Sequence, residues 1–276
     1  MLPALMQATS RESLHGLRAQ LDQSTATLEA QGAQALSGEL AQVSDLLASE
    51  PGLRRALSDS SAQASSREQL ATRLFGGQVS DSALELVKKA TTQAWSKPGD
   101  LVDALTDLSH QAAFISAEKS GSFATVEEEL FRFGRALDAN GELEQTLSDA
   151  SAPLAQRQQL LGALVKDANP ITIGLLRSVL SNPRAASTYN SVQGLVEDAA
   201  GRRRRSVAVV TSPVVLTDEQ ERRLTSALSR IYGREVSVSI DVDPTILGGL
   251  RVQVGDDVID GSIAGRLDDI QRRFAG

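Results

Sequence analysis

Two stretches of this sequence set a hydroxyl beside a carboxylate. They are Leu57-Ser58-Asp59-Ser60-Ser61-Ala62 and Leu147-Ser148-Asp149-Ala150-Ser151-Ala152. A Ser-Asp pair is the start of a nucleophile and its helper, but the nucleophile needs a base to take its proton. The only histidines, His15 and His110, stand far from both pairs in sequence. Ser and Asp also compete well for exposed backbone amides, so each pair is expected to close one helix and cap the next. Residues 201–205, Gly-Arg-Arg-Arg-Arg, form the one dense basic run. Such a run can hold phosphate or nucleic acid, yet no aromatic residue interleaves it for stacking. It falls where a helix should end, so cations complementing the helix dipole are the simpler expectation. Leu247-Gly248-Gly249-Leu250 lacks the G-x-G-x-x-G or G-K-[ST] pattern of a phosphate cradle and reads as glycine leading into a strand. Asp241, Asp243, Asp256, Asp257 and Asp260 do not fit the spacing of an EF-hand loop and are assigned to turns and a helix start. Cysteine is absent, which removes disulfides, thiolate metal sites and a cysteine nucleophile. No catalytic, cofactor-binding or metal site is expected, and no cofactor.

The elements that carry these residues are mostly helices. With 28 Lys+Arg against 35 Asp+Glu the net charge is −7, which disfavours a bulk nucleic-acid binder. Aromatic residues make up 3%, so helices packed through small side chains are favoured over a sandwich or barrel. The opening residues lack the basic and apolar regions of a signal peptide, and no stretch reaches the roughly 18 apolar residues of a spanning helix. A soluble, cytoplasmic chain that reaches a membrane only through a partner is expected. Leu14, Leu17 and Leu21 mark one apolar helix face; Leu40, Val43, Leu46 and Leu47 mark a second. Leu84, Val87 and the run to Trp95 mark a third. Ser80-Asp81, Asp100 after Lys97-Pro98-Gly99, and Asn169-Pro170 are helix-start signals.

Displacing the chain against itself by ninety residues brings identical residues together. Glu39, Leu40, Leu47, Leu57, Asp59, Ser61, Arg67 and Leu70 meet Glu129, Leu130, Leu137, Leu147, Asp149, Ser151, Arg157 and Leu160. After a one-residue gap Leu86 meets Leu175. The helical part is therefore a duplicated unit, each copy expected to fold as its own bundle. From residue 206 the pattern changes. Residues 206–212 are β-branched, Thr217 and Gln220 form a capping box, and residues 235–243 alternate with period two. A further strand, a turn at Gly255-Asp256-Asp257 and a final helix to Phe274 complete a βαββα unit. The expected fold is mainly α: two tandem all-α bundles (1–102 and 103–205) followed by a small α/β domain (206–276).

Several stretches of the last domain are specific enough to compare with a known family. They are residues 208–217 (AVVTSPVVLT), 232–236 (YGREV), 242–252 (VDPTILGGLRV) and 254–262 (VGDDVIDGS), with Gly265-Arg266-Leu267. Together they resemble the delta subunit of F-type ATP synthase, whose mitochondrial counterpart is the oligomycin-sensitivity-conferring protein. Residues 113–121 (AFISAEKSG) resemble the first helix of that family, and Leu175-Leu176 through Asn182-Pro183-Arg184 the approach to its last N-domain helix. On this resemblance, residues 103–276 correspond to an ordinary delta subunit. Residues 1–102 add a second bundle, as in long actinobacterial forms, with no b-type helix ahead of it.

The resemblance implies a stator component without an active site of its own. The N-domain would hold the N-termini of alpha subunits, through a groove near residues 105–118 and 171–180. Phe114, Ile115, Ile171, Leu175 and Leu176 are the side chains implied there. A duplicate groove near residues 14–21 and 83–95, with Leu84, Val87 and Trp95, would take another alpha N-terminus or brace the stalk. The last domain, with Leu247, Ile263 and Leu267, would join the b subunits. A single copy within a hetero-oligomer at the cytoplasmic face of the cell membrane is implied, with no nucleic acid. The competing expectation is a free-standing helical adaptor associated with RNA through Arg202, Arg203, Arg204 and Arg205.

Overall fold

The computed structural model describes residues 6–182, 187–205, 207–232, 236–246, 248–254 and 257–260. Five helices come first: α1 (Ala8–Thr25), α2 (Ala30–Ser49), α3 (Pro51–Ser58), α4 (Ala64–Phe75) and α5 (Asp81–Thr92). Then come α6 (Pro98–Lys119), α7 (Phe123–Ala139), α8 (Gly141–Ser148), α9 (Leu154–Leu164), α10 (Pro170–Ser181) and α11 (Thr188–Arg205). The start signals work as read. Ser80 Oγ accepts from Ala83 N at 3.3 Å, and Asn169 Oδ1 from Ile171 N at 2.9 Å with Pro170 opening α10.

Advancing α1 through α5 by about ninety residues lands on α6 through α10, and advancing α6 lands on α11. α6 is thus the last helix of the first copy and the first helix of the second. The division expected after residue 102 falls inside this unbroken helix, so the two copies share a wall and are not separated by a linker. The burial of α6 stems from that double duty: residues 99–117 are buried on every side except at half-buried Thr106. By contact the chain falls into two compact units, Met1–Asp198 and Ala199–Gly276, with both helical copies in the first.

The residues repeated in the sequence do the same work twice. Leu40 and Leu130, Leu47 and Leu137, and Leu57 and Leu147 are each at most 1% exposed and fill equivalent core positions. Glu39 accepts from Ser80 Oγ at 2.5 Å at the start of α5. Glu129 accepts from Asn169 N at 3.0 Å and Thr172 Oγ1 at 2.5 Å at the start of α10. At the far ends, Arg67 donates to the Thr91 and Gln93 carbonyls, and Arg157 to the Leu180 and Leu147 carbonyls. A carboxylate at the N-terminus and a guanidinium at the C-terminus both suit the helix dipole. Each copy therefore grips its fifth helix at both ends.

The doubled Ser-Asp stretch is a turn. Asp59 Oδ1 accepts from Ser61 N at 2.9 Å and Ser61 Oγ at 2.7 Å; Asp149 Oδ1 accepts from Ser151 N at 2.9 Å and Ser151 Oγ at 2.6 Å. These bonds from Ser61 and Ser151 hold both carboxyls below the ordinary aspartate range. The aspartates close the turn through local amides, but they do not cap the next helix as expected: its N-cap residues are Gln63 and Pro153, which lack a side-chain cap bond.

The second unit contains β1 (Val207–Ser212), α12 (Asp218–Tyr232), β2 (Ser237–Val242), β3 (Arg251–Val254) and β4 (Asp257–Asp260), in sheet order β2-β1-β3-β4. β1 runs parallel to β2 across the α12 connection and antiparallel to β3, and β4 pairs antiparallel with β3. The Thr217–Gln220 capping box forms, with Thr217 N on Gln220 Oε1 at 2.9 Å and Gln220 N on Thr217 Oγ1 at 3.3 Å. One expectation changes: residues 257–260 form a fourth strand, because Val252 and Val254 bring them into register as a hairpin. The expected final helix lies outside the described residues. Gly248 and Gly249 precede β3 with φ of 131° and 86°, a backbone only glycine adopts freely.

Candidate protein-docking site

Most of the apolar residues expected at docking grooves are buried within the chain. Phe114 is 0% exposed and meets Phe123 edge-on, with ring centroids 6.0 Å apart. Ile115, Ile171, Leu175 and Leu176 are all buried, as are Val87 and Trp95, while Leu84 is half-buried. Trp95 Nε1 donates to the Ala90 carbonyl at 2.9 Å, which satisfies its polar edge inside the first core. Leu247, Ile263 and Leu267 lie outside the described residues.

The pair α6 and α10, the first and fifth helices of the second copy, carries an occupant from its own chain. α2 runs antiparallel along α6, with Ser116 Oγ donating to the Ala30 carbonyl at 2.8 Å. Ser109 Oγ donates to the Ser37 carbonyl at 2.8 Å, and Ser44 Oγ lies 2.7 Å from Thr106 Oγ1. Small and hydroxylated side chains allow this close approach. Ala41, Ser44, Asp45 and Ala48 of α2 face Val102, Thr106, Ser109 and His110 of α6 and Ser178 and Asn182 of α10. Only a crevice of about 10 Å³ remains between them.

His110 is buried at this three-helix junction. Its Nε2 lies 2.8 Å from Ser178 Oγ, whose own hydrogen goes to the Leu175 carbonyl at 2.7 Å. The imidazole is therefore the donor, in its Nε2–H form. Burial pushes its pKa down to about 4. A second polar contact ties three helices together. Arg18 of α1 forks onto Asp107 of α6, with Nε to Oδ2 at 2.7 Å, and reaches Asp198 of α11 at 3.6 Å. Burial works against the Arg18 charge, but Asp107, Asp198 and Asp22 more than offset it and raise the guanidinium pKa.

The basic run differs from a fully solvated helix end: Arg202 is buried at 3% exposure, while Arg203 and Arg204 are exposed. Asp243 holds its own turn, accepting from Thr245 N at 2.9 Å and Thr245 Oγ1 at 2.7 Å. Among the described residues no group of His, Cys, Asp or Glu is placed to hold a metal ion. Leu46, expected on the second apolar helix face, is 41% exposed, and the most exposed large apolar side chains are ones the sequence reading gave no role. Phe131 on α7 is 55% exposed; in the second unit Val214, Val215 and Ile231 are 64%, 75% and 65% exposed. Val209 and Val258 flank Gln253 on the sheet face away from the core. Val214 and Val215 had a readable signal: they come directly after Pro213 and stand outside the alternation of β1.

Residues 110–274 match the family model for the ATP synthase delta (OSCP) subunit. The chain belongs to this family. The match begins within α6, at the first helix of the second copy. Curated relatives extend further. ATP synthase subunit delta of Streptomyces coelicolor is 45% identical over 98% of both chains. That of Streptomyces griseus is 40% identical over 98% of this chain and 100% of its own, and that of Frankia casuarinae 41% identical over 95% and 97%. These delta subunits are thus similar along the first helical copy too, so the long form is shared with them. A chain in the Toxoplasma gondii mitochondrial ATP synthase hexamer aligns over 60% of this chain and 95% of its own, at 20% identity and a TM-score of 0.32. That likeness is too low to carry an argument. Among the described residues no helix is long and apolar enough to cross a membrane.

Proposed function

We propose that this delta-family chain is a non-catalytic stator subunit of an F1Fo ATP synthase. It would link the alpha subunits of the F1 head to the b subunits of the peripheral stalk, so that the head does not turn with the rotor during proton-driven synthesis. The observation that carries this reading is the near end-to-end similarity to proteins named ATP synthase subunit delta. The physical requirement is slow dissociation under load, not chemistry. Two helical copies that share α6 form one packed body with no linker to stretch between them. Several modest contacts made by such a body add through effective concentration. The helical copies would face the head, and the second unit, with Val214, Val215 and Ile231 exposed, would face the stalk. One copy per complex, at the cytoplasmic face of the membrane, goes with that role.

The test is reconstitution. Membranes depleted of this chain are expected to lose F1 and proton-driven ATP synthesis, and to regain both when the full chain is added. Restored F1 binding without restored coupling would refute the stator role. Salt-sensitive RNA binding without any affinity for F1 would favour the adaptor reading instead.

A further inference from the structure

We propose that the Asn140-Gly141 junction is a site of covalent modification, where the asparagine side chain cyclises onto the glycine nitrogen and is converted to aspartate and isoaspartate. This goes beyond the stator reading and does not depend on it. The chain contains four asparagines, Asn140, Asn169, Asn182 and Asn190. Cyclisation needs a following residue with a free backbone N–H and little bulk. Asn169 and Asn182 precede Pro170 and Pro183, which have no N–H. Asn190 precedes Ser191, whose N–H is held inside α11 by the Ser187 carbonyl at 3.2 Å. Asn140 alone precedes a glycine, which has no Cβ to obstruct the approach.

The fold leaves this junction accessible. Asn140 is the N-cap of α8; Asn140, Gly141 and Glu142 are exposed, and Leu147 is the one buried side chain of the helix. A Cβ placed on Gly141 would meet nothing within 4 Å. In the closed turn Asn140 Oδ1 accepts from Leu143 N, and the Asn140 carbonyl accepts from Glu144 N, both at 3.1 Å. At ψ 88° the Gly141 nitrogen stands nearly opposite Cβ across the Cα–C bond, so the reaction proceeds when this first turn opens. Opening it breaks those two bonds and moves no buried side chain, and the exposed end of an eight-residue helix frays readily. The first copy makes the same junction with Glu50-Pro51, where Glu50 has φ −114° and ψ 85° against −136° and 88° at Asn140. There the proline has no N–H and the side chain no carboxamide, so the chemistry is confined to the second copy.

In the reaction Gly141 N loses its proton and bonds to Asn140 Cγ, and the Cγ–Nδ2 bond breaks with release of ammonia. Water then opens the succinimide. Attack at Cγ restores the ordinary backbone with an aspartate side chain. Attack at the main-chain carbonyl leaves the chain running through Cβ and Cγ, one methylene longer. Nothing is oxidised or reduced, and solvent water is the only co-reactant. The aspartate keeps the cap and adds negative charge at the N-terminus of α8, which the helix dipole favours. The longer backbone of the isoaspartate moves the cap acceptor away from Leu143 N. Glu144, the next residue, accepts from Ser148 Oγ at 2.7 Å and from Ser187 Oγ, directly ahead of α11, at 2.9 Å. The isoaspartate form therefore loosens the start of α11 as well.

The test incubates the folded full chain at mildly alkaline pH and follows it by peptide mass mapping, with an isoaspartate-specific methyltransferase to label the rearranged product. Conversion at Asn140 is expected to run at least tenfold faster than at Asn190, and to quicken as pH rises because the attacking nitrogen must lose its proton. Gly141→Ala is expected to slow it several-fold with unchanged melting, since the added methyl group hinders attack but meets no neighbour. Conversion at Asn140 no faster than at Asn190, or seen only in unfolding urea, would overturn the proposal. A rate that Gly141→Ala leaves unchanged would overturn it too. In the purified isoaspartate form, amide exchange over residues 188–192 is expected to be at least threefold faster than in Asn140→Asp. Equal exchange in the two would overturn the link to α11.

Discussion

Removing residues 1–97 is expected to do more than delete an accessory domain. α6 contributes Leu101, Val102, Leu105, Leu108 and Ile115 to the first core, each at most 4% exposed. Without α1 through α5 these side chains lose the surface they are buried against. At about 1.5–3 kcal/mol for each large aliphatic side chain, the loss is roughly 8–15 kcal/mol. Halving that for atoms that also touch the second core leaves about 4–7 kcal/mol, against a typical domain stability of about 5–15 kcal/mol. Asp107 would also lose its Arg18 partner. The fragment 98–276 should therefore unfold at much lower urea, with a broad transition, and bind a hydrophobic dye that the full chain does not. Circular dichroism of both proteins, during urea titration and on heating, provides the measurement. A fragment whose helical signal melts in one sharp transition within about 3 °C of the full chain would contradict the shared-wall argument.

Three further outcomes rest on single contacts. Arg18→Ala leaves Asp107, whose side chain is 1% exposed, without its guanidinium, and should destabilise the chain by about 3–5 kcal/mol in chemical denaturation. His110 titrates near 4 when folded and near 6.5 when unfolded, so the unfolded chain binds the extra proton between those values. Stability is then complete above pH 6.5 and falls as pH drops towards 4, by about 3 kcal/mol, and His110→Asn should flatten that part of the urea-midpoint profile. Arg67→Ala and Arg157→Ala each free carbonyls at the end of a fifth helix, and each should cost about 1–3 kcal/mol; amide exchange should quicken first in α5 for one and in α10 for the other.

The duplication was legible because identical residues ninety apart do identical structural work: Glu39 and Glu129, Arg67 and Arg157, and the core leucines. The capping signals at Ser80, Asn169 and Thr217 were equally readable, since each depends on a few adjacent residues. The shared helix was harder. Asp100, Asp103 and Asp107 make a polar stripe on α6 that looks like a solvated face although all three are buried. Ser10 and Arg18, distant in sequence, are what make two of those positions acceptable. Docking residues are hard to read from the sequence for a related reason. Leucines at helical spacing mark an apolar face without saying whether the chain itself covers it, and for Ile115, Leu175 and Val87 it does. β4 was missed because four residues bounded by aspartates give too short an alternation to read.

A helix that ends one bundle and begins the next fixes their relative phase. One residue inserted into α6 would turn everything beyond it by about 100° and shift it by about 1.5 Å. Whichever core lay beyond the insertion would then present its polar sides inward. Insertions can be absorbed in the α1–α2 connection at residues 26–29, or between α6 and α7 at residues 120–122. Within α6 the reading frame of side chains is locked at both ends, so length variation among long delta chains should stop at its borders.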